Sequence, residues 1–371
     1  MPSQGAPLAG IRAGAPSRGA TVAVRLRLLD QQVVVLTGAS SGIGLTTARC
    51  AAQRGARLVL AARNEAALRQ LCDELNAGGE RRAVAVPADV SREEDVARIA
   101  ETAIAEFGHF DTWINNAAVS VFGETTQVTI EDFRRVFDVV FWSVVYGSRQ
   151  AVAHYRSRAD GDGAGGAVVN VGSLFGDRAT PLQSTYGSAK HAMHGFTDSL
   201  RMELAYHDDP IAVTLVHPGR IDTPYNEHAQ SYLDHQPAHH GVVYPPDAVA
   251  QAIVYSAAHG PRDMFVGSQA KITALAGALF PRLMDWYMEH HMWPSQMADD
   301  RPSQPRDTPD SAQPTRAALW TAGYGMHERG SNEGWHRRRS YVVAARTHPV
   351  RTLVGTGAGA LGLLATRVAR R

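Results

Sequence analysis

Short apolar runs alternate with longer segments whose apolar residues recur at helical spacing, from about residue 29 to residue 216. Uninterrupted apolar runs of this length are typical of strands buried on both faces of a parallel sheet. We expect strands at residues 31–36, 57–62, 83–86, 111–114, 167–171 and 212–216. Helical patterns occupy residues 45–54, about 130–156 and about 186–206. The alternation predicts an α/β fold, with a doubly wound parallel sheet covered by helices on both faces.

Both ends of the chain depart from this pattern. Residues 1–28 are rich in Gly, Ala, Pro and Arg and contain no acidic residue, which favours a disordered arm or a start codon assigned too early over an organelle transit segment. Residues 29–293 form the expected domain. Residues 294–316 contain five prolines among Ser, Asp and Gln, which predicts a disordered linker.

Residues 317–371 form a basic C-terminal tail with nine Arg against two acidic residues. Residues 353–365 of this tail are uncharged and rich in Gly and Ala. That stretch is shorter than the ~20 residues that a membrane-spanning helix needs. Peripheral membrane contact and self-association stay open for this tail, and a soluble tail helix is the favoured interpretation.

Bulk composition narrows the class of protein. Of the 371 residues 44% are hydrophobic and 20% charged, as in ordinary soluble domains. The net charge of +1 gives no indication of a nucleic-acid partner. Cys50 and Cys72 both lie in predicted helices, which argues against a disulfide framework and suits a reducing compartment. We therefore expect a cytoplasmic protein, with membrane association through the tail as the alternative.

A Gly-rich turn joins the first predicted strand to the first helix. It runs Thr37-Gly38-Ala39-Ser40-Ser41-Gly42-Ile43-Gly44. Gly38 permits the tight turn, Gly42 lets the backbone approach a pyrophosphate, and Gly44 lets the helix pack against the strand. The N-terminus of that helix favours anions. In this context the turn predicts dinucleotide binding on a Rossmann-like fold, rather than a purely structural turn.

The end of the second strand indicates which dinucleotide is bound. NAD-selective sites place an acidic side chain there to bind the ribose diol, whereas this chain has Ala62 followed by Arg63. A guanidinium suits a 2′-phosphate, so we predict that NADP(H) is preferred over NAD(H), the alternative being an exposed Arg. Asp89, followed by Val90, either contacts the adenine amino group or helps cap the next helix. We favour the adenine contact, because Ser91 already completes a capping-box pattern for that helix.

Tyr186 and Lys190 are the most informative pair in the chain. Only two of the 37 basic residues are Lys, and Lys190 lies four residues after Tyr186, on the same helix face. A nearby ammonium group favours the phenolate and is expected to lower the Tyr pKa from its ordinary value near 10. Ser173, at the end of the fifth strand, can reach the same crevice and donate to a carbonyl oxygen.

Together these motifs resemble the short-chain dehydrogenase/reductase family, in its shorter single-domain branch, over about residues 29–270. The resemblance implies that Tyr186 is the general acid/base, that Lys190 lowers its pKa and binds the nicotinamide ribose, and that Ser173 orients the substrate oxygen. It also implies that Asn115 supports the central strand and the cofactor, and that Thr223 contacts the nicotinamide carboxamide. The remaining cofactor-binding positions implied are Asn116, Ala117, Pro218, Gly219 and Ile221.

Two positions depart from the family pattern. The family usually has Asn in the long helix, where it holds a water that links the Lys to a proton relay, and this chain has Val140 there. Val cannot hydrogen-bond such a water, so the relay is in doubt, and Val140 also fits the spacing of a core residue. Ala118 replaces a frequent Gly with little expected strain.

The substrate side of the site is less specified. Residues 224–244 contain His228, His235, His239 and His240, but Pro237 interrupts helical spacing and no carboxylate cluster accompanies them. We therefore predict a mobile loop over the substrate and no metal site. Residues 284–293 are rich in Met and aromatic side chains, which favours core packing over an apolar pocket or a partner surface.

These observations predict an NADP(H)-dependent oxidoreductase that acts on a small-molecule alcohol/carbonyl pair, without a nucleic-acid partner. The long helix and the Tyr186 helix would form a homodimer or homotetramer surface, as the resemblance implies. Two alternatives remain at this point. Val140 motivates a non-catalytic NADP(H)-binding regulatory protein, and the basic tail motivates a membrane-associated assembly protein.

Overall fold

A computed structural model describes residues 24–158, 164–238, 240–303, 305–309, 317–331, 335–337 and 340–347. The strands are β1 Val33–Thr37, β2 Arg57–Ala62, β3 Ala83–Pro87, β4 Thr112–Asn115, β5 Val121–Phe122, β6 Gly166–Val171, β7 Ile211–Pro218, β8 Gln230–Ser231, β9 His235–Pro237, β10 Val242–Val243, β11 Asp263–Val266, β12 Met297–Pro302 and β13 Trp335–His336. The α-helices are α1 Gly42–Ala52, α2 Glu65–Asn76, α3 Glu93–Phe107, α4 Ile130–Phe137, α5 Ser143–Arg158, α6 Leu174–Asp177, α7 Ser184–Tyr206, α8 Tyr225–His228, α9 Pro246–His259, α10 Ser268–Leu279, α11 Pro281–Tyr287 and α12 Tyr341–Thr347.

A seven-stranded parallel sheet forms the centre of the molecule, in the order β11-β7-β6-β4-β1-β2-β3. The chain runs outward in one direction from β1 through β2 and β3, and in the other direction from β4 onward. This reversal leaves a crevice beyond the carboxyl ends of β1 and β4, where ligands bind in open α/β sheets. The predicted Rossmann-like doubly wound fold is confirmed.

Alternation along the strands builds two cores, one on each face of the sheet. Val33 and Val35 of β1 pack with residues of α3, α5 and α7. Val34 and Leu36 pack with residues of α1, α2 and α9 on the other face. Every residue of β1 is buried. This explains the unbroken apolar runs in the sequence, since a strand covered on both faces has no solvent-facing positions.

The six strands predicted from the sequence are present, and the sheet has one more. β11 at Asp263–Val266 pairs with β7 at the edge of the sheet. Its burial alternates, and it begins with Asp263 beside the exposed Arg262, so its apolar run is too short to stand out. The predicted long helix consists of α4, a π-helical turn at Asp138–Trp142 and α5.

Part of the stretch predicted as a disordered linker packs on the domain. β12 pairs antiparallel with β9. Asp307 is fully buried, and its backbone N–H donates to Gln230 at 2.8 Å. The side chain of Gln230 in turn donates to the Asp307 carbonyl oxygen at 2.9 Å. These residues are held by a polar partner in the domain, a contact that Pro-rich composition does not reveal.

Residues 317–331 of the basic tail cross the surface of the domain, and we refer to them as the C-terminal strap. Ala317, Ala318 and Leu319 are buried. The uncharged stretch at residues 353–365 and most of the N-terminal arm, residues 1–23, lie outside the described residues. Among the described helices, none has the length and apolarity to cross a bilayer.

Candidate active site

A single cleft at the carboxyl edge of the sheet gathers the residues singled out from the sequence. It is lined by Gly38, Ser40, Ser41, Gly42, Ile43, Gly44, Arg63, Asp89, Val90, Asn116, Ala117, Ser173, Tyr186, Lys190, Pro218, Gly219, Ile221 and Thr223. Thr37 lies beneath the cleft, where its hydroxyl donates to the Ile114 carbonyl oxygen at 3.2 Å. The sheet brings these residues together because β1, β4, β6 and β7 all end at this edge.

The glycines of the first turn are required by close approach of backbone to backbone. Gly38 has φ of +69°, and a Cβ there would lie 2.8 Å from Ala117 Cα. A Cβ on Gly44 would overlap the Gly38 carbonyl oxygen. The turn therefore stays narrow, and the N-terminus of α1 faces the cleft with backbone N–H groups that lack partners within the helix.

Polar contacts brace the turn against β4. Asn116 donates from Nδ2 to the Thr37 carbonyl oxygen at 2.9 Å, and its N–H donates to Thr37 Oγ1 at 3.0 Å. Below them, Asn115 is buried and donates to Asn170 Oδ1 of β6 at 2.9 Å. Asn115 and Asn116 thus tie together the strands that carry the two halves of the cleft.

Ser173, Tyr186 and Lys190 are buried side by side in the cleft. Ser173 precedes α6 and accepts a hydrogen bond from the Phe175 N–H at 3.1 Å, while its side chain also hydrogen-bonds to the Tyr186 phenol. Lys190 Nζ lies 5.5 Å from the centroid of the Tyr186 ring and donates to the Val171 carbonyl oxygen at 2.7 Å. The arrangement places the Tyr186 phenol, which can donate a proton, close to the Ser173 hydroxyl and the Lys190 amine.

The pKa of Tyr186 shifts in the direction opposite to the one expected from the sequence. Burial raises it to about 12, against smaller lowering effects from hydrogen bonds with Ser173 and Tyr225. Burial also lowers the pKa of Lys190 to about 7. Near neutral pH this amine therefore carries only part of a positive charge, and its Nζ bonds to a carbonyl oxygen rather than to the phenol. Desolvation outweighs charge attraction in this cleft.

Tyr225 is a site residue that the sequence analysis missed. Its ring packs edge-on against Tyr186, with the centroids 5.5 Å apart. Its hydroxyl lies 2.7 Å from Ser120 Oγ and 2.8 Å from Gln183 Oε1. The sequence feature that could have identified Tyr225 is its position two residues after Thr223, in the segment that follows β7.

A charged network that the sequence analysis also missed lies beneath Ser173. Asp177 faces His194 Nδ1 at 3.3 Å and His217 Nδ1 at 2.8 Å. The far nitrogen of His217 lies 3.4 Å from Asp263. Burial opposes the charged form of His217, but the two carboxylates outweigh it and raise its pKa. Burial would raise the pKa of Asp177, yet hydrogen bonds from both histidines hold it at about 2.

The ligand atoms of Asp177, His194 and His217 lie within 4.8 Å of one another, a spacing that a metal ion could also use. The hydrogen bonds favour a different interpretation. The Ser173 N–H donates to His194 Nε2 at 3.4 Å, so the proton of neutral His194 lies on Nδ1 and points to Asp177. A metal on Nδ1 requires the other tautomer. We therefore interpret these residues as a network that positions the Ser173 backbone.

Asp89 is held by protein groups on both carboxylate oxygens. Oδ1 accepts from the N–H and the hydroxyl of Ser91 at 3.0 and 2.8 Å, and Oδ2 accepts from Arg135 at 2.6 Å. The predicted capping box at Ser91 is wrong, because α3 begins after Arg92 and the Ser91 hydroxyl is directed to Asp89. Asp89 still lines the cleft, so adenine contact stays a prediction.

Val140 lies in the π-helical turn and is fully buried within one of the two cores. The π-helical turn bends the helix at this position although the residue is Val and not Asn. Ser143 contributes to the bend, since its hydroxyl donates to the Val139 carbonyl oxygen at 2.6 Å. Val140 is a packing residue in this structure.

Replacing Val140 with Asn is expected to lower the free energy of unfolding by about 1–3 kcal/mol, because it places an amide among apolar neighbours. Thermal or denaturant unfolding without cofactor measures this change. Unchanged stability together with faster turnover would contradict the packing role and favour a missing proton relay instead.

Residues 224–244, predicted as a mobile loop, form short paired elements in their described part. β8 pairs with β5, and β9 pairs with β12. His228 is half-buried and packs against Tyr324, with ring centroids 4.5 Å apart. His235 and His240 do not join it in a cluster, and His239 lies outside the described residues. Pro224, Tyr225 and His228 at the start of this segment line the cleft.

Comparisons with known proteins agree with the fold and with the geometry of the cleft. The model of the short chain dehydrogenase family matches residues 32–233. An uncharacterized oxidoreductase of Bacillus subtilis, YxnA, is 57% identical over 349 residues, covering 94% of this chain and 93% of the relative. The putative oxidoreductase SadH of Mycobacterium tuberculosis is 32% identical over 270 residues, covering 69% of this chain and 94% of the relative.

A solved structure gives the same result for the fold. The 3-ketoacyl-(acyl-carrier-protein) reductase from Brucella melitensis, complexed with NADH, superposes with a TM-score of 0.56 at 26% identity, covering 64% of this chain and 97% of the reductase. Sheet order, glycine-rich turn and the buried Ser, Tyr and Lys all agree with the family match, and the chain belongs to the short-chain dehydrogenase/reductase family of oxidoreductases.

Proposed function

We propose that the protein is an NADP(H)-dependent oxidoreductase that interconverts an alcohol and a carbonyl compound, with Tyr186 as general acid/base. The observation that carries this proposal is the buried set of Ser173, Tyr186 and Lys190 in the cleft beside the glycine-rich turn. A nicotinamide cofactor, when bound, supplies or accepts the hydride.

Tyr186 holds the proton that the reaction needs. In the direction of reduction its phenol donates this proton to the carbonyl oxygen as that oxygen gains negative charge. Ser173, which already hydrogen-bonds to the phenol, orients the same oxygen. Lys190, with a pKa near 7, holds a proton at Nζ in part of the molecules near neutral pH, and in that charged form it stabilises the phenolate.

Two features of the cleft support a dinucleotide with a 2′-phosphate as its ligand. Apart from Gly42, whose N–H donates to the His327 carbonyl oxygen, the N-terminus of α1 offers backbone N–H groups to a pyrophosphate. Arg63 lines the adjoining part of the cleft, where burial lowers its pKa. In the described part of the chain the acceptors of its hydrogen bonds are neutral carbonyl oxygens. A half-buried guanidinium whose acceptors among the described residues include no carboxylate favours an anionic ligand.

Arg63→Ala is expected to weaken NADPH binding by about 10- to 100-fold, the loss of one or two charge-assisted hydrogen bonds. NADH binding in the same variant is expected to change much less, and it serves as the internal control. Fluorescence titration measures both. Equal weakening of both cofactors would count against the role of Arg63 in cofactor choice.

The reaction itself is tested with the full chain in one cuvette. NADPH or NADH is titrated first, and aldehydes, ketones and quinones are then added while cofactor oxidation is followed. Turnover of a carbonyl compound supports the proposal. Tight cofactor binding without turnover across the panel would favour a protein that binds NADP(H) without catalysis.

We also propose a homodimer or homotetramer formed through the helices α5 and α7 and the turn before α5. This surface carries exposed Trp142, Met202 and Tyr206, which are 43%, 64% and 65% exposed. Apolar side chains of this size are enriched in interfaces. Light scattering of the full chain is expected to give twice or four times the 40.0 kDa mass, and a monomer would contradict the proposal.

The proposed location is the cytoplasm. Cys50 and Cys72 are both free, as in proteins of reducing compartments. Fractionation of cells that produce the full chain also tests the alternative of peripheral membrane contact.

A further inference from the structure

The C-terminal strap (residues 317–331) is hydrogen-bonded to Arg63, the residue expected to determine the preference for NADP(H) over NAD(H). Arg63 Nη2 donates to the Ala318 carbonyl oxygen at 2.5 Å, and Nη1 donates to those of Leu319 and Trp320 at 3.1 Å each. Three of the five guanidinium N–H groups are used in this way. The strap therefore sets the orientation of Arg63, and among the described residues no acceptor is assigned to the other two N–H groups, which are left for a ligand.

The same segment is bonded to the glycine-rich turn. The Met326 N–H donates to the Ser40 carbonyl oxygen at 2.8 Å, and the Gly42 N–H donates to the His327 carbonyl oxygen at 2.9 Å. Next to Arg63, Asn64 donates to the Gly323 carbonyl oxygen at 2.9 Å. These contacts place the strap across the ends of β1 and β2, where the adenosine half of a dinucleotide lies in doubly wound sheets.

Anchors outside the cleft hold the strap in place. Asp307 accepts from the backbone N–H groups of Trp320 and Thr321, both at 2.7 Å. The Trp320 indole donates to Asp132 at 2.9 Å, and its ring lies under the Arg135 guanidinium at 5.2 Å. The strap is thus attached to the domain through several independent contacts, and Arg63 is only one of them.

The strap forms part of the cleft wall without filling the cleft. Ala318, Ala322, Gly323 and Tyr324 line it, and a cavity of about 240 Å³ remains beside them. Small side chains at three of these positions leave room for a ligand. All four residues lie beyond residues 32–233, the part matched by the family model.

We propose that the C-terminal strap is the retaining wall of the adenosine half of the cofactor site, and that it orients Arg63 toward the 2′-phosphate. The proposal rests on the dinucleotide binding of the proposed function. A wall bonded to both the glycine-rich turn and Arg63 must separate from them before the adenosine half can leave. The strap therefore slows release of the cofactor, and of NADP(H) more than of NAD(H).

Gly325→Val tests the wall from a position outside the cleft. A Cβ at Gly325 would overlap the Cβ of Ala67, so a branched side chain pushes this part of the strap away from α2. Gly78→Val is the matched control, since a Cβ at Gly78 meets no atom within 4 Å. The dissociation rate of NADPH is measured by stopped flow, with an excess of NADP⁺ as the displacing ligand.

The expected result is a dissociation rate about tenfold higher or more in Gly325→Val, with a smaller increase for NADH and no change in Gly78→Val. If Gly325→Val fails to fold, Asp307→Ala loosens the strap from its far side and is expected to act in the same direction. An unchanged rate in the folded variants would overturn the proposal. So would slower release, which would make the strap a competitor of the cofactor.

The outcome is separable from that of the catalytic proposal. Cofactor binding with strap-dependent release, but without turnover of any carbonyl compound, would support the role of the strap and contradict the assigned reaction. A full chain that binds neither NADPH nor NADH would overturn both.

Discussion

Tyr186→Phe is expected to reduce turnover by about 10²–10⁴-fold, the usual contribution of a positioned general acid. NADPH binding should stay within a few-fold of the native protein. The phenol hydroxyl is the atom lost, and the ring that packs on Tyr225 is retained. Steady-state rates on the best carbonyl substrate, together with NADPH titration of the same preparation, measure the two effects.

The matched control for this substitution is Tyr341→Phe. Tyr341 is 72% exposed on α12, so removal of its hydroxyl should leave turnover unchanged. Undiminished activity in Tyr186→Phe would remove the basis of the assigned mechanism. Equal loss of turnover and NADPH binding would instead indicate that the hydroxyl is needed to form the cleft.

Lys190→Met is expected to abolish most turnover and, in the absence of cofactor, to stabilise the fold at low pH. Lys190 is buried, and burial lowers its pKa to about 7. This shift corresponds to about 5 kcal/mol at 1.36 kcal/mol per unit. Loss of the hydrogen bond to the Val171 carbonyl oxygen offsets about 1 kcal/mol. We therefore expect a net stabilisation of about 3–4 kcal/mol below pH 6.

The pH dependence follows from where the proton is bound. Below pH 7 Lys190 is charged in both the folded and the unfolded state, so the folded state bears the full cost of a buried charge. Between pH 7 and about 10.4 the unfolded state binds the extra proton, so stability rises with pH. The advantage of Lys190→Met should therefore shrink over this range and be largely gone above pH 10.

Lys271→Met is the natural control, since Lys271 is the other lysine of the chain and is exposed on α10. Its unfolding free energy should follow that of the native protein from pH 6 to pH 10. A Lys190→Met protein that is less stable than the native protein at pH 6 would show that Lys190 is not buried as an uncompensated charge.

The strands and the cofactor turn could be predicted from the sequence because their causes are local. A strand buried on both faces needs consecutive apolar residues, as in β1, and a turn with backbone contact at Gly38 and Gly44 needs glycine. Tyr186 and Lys190 were recognisable because four-residue spacing places them on one helix face. β11 was missed because an edge strand needs fewer apolar positions than a central one.

Longer-range features needed the fold. The pKa of Tyr186 depends on how completely the cleft excludes water, which residue spacing does not report. The network beneath Ser173 joins α6, α7, β7 and β11, and no local pattern links Asp177 to His217.

The sequence by itself determined the parallel α/β fold, the dinucleotide-binding turn and the Ser173, Tyr186 and Lys190 set, since each depends on residue type at short spacing. Only the tertiary structure revealed that the C-terminal strap covers the end of β2 and holds Arg63. That contact joins residues about 255 positions apart, through backbone carbonyl oxygens that every residue carries. Such contacts depend on the path of the chain, which sequence composition does not encode.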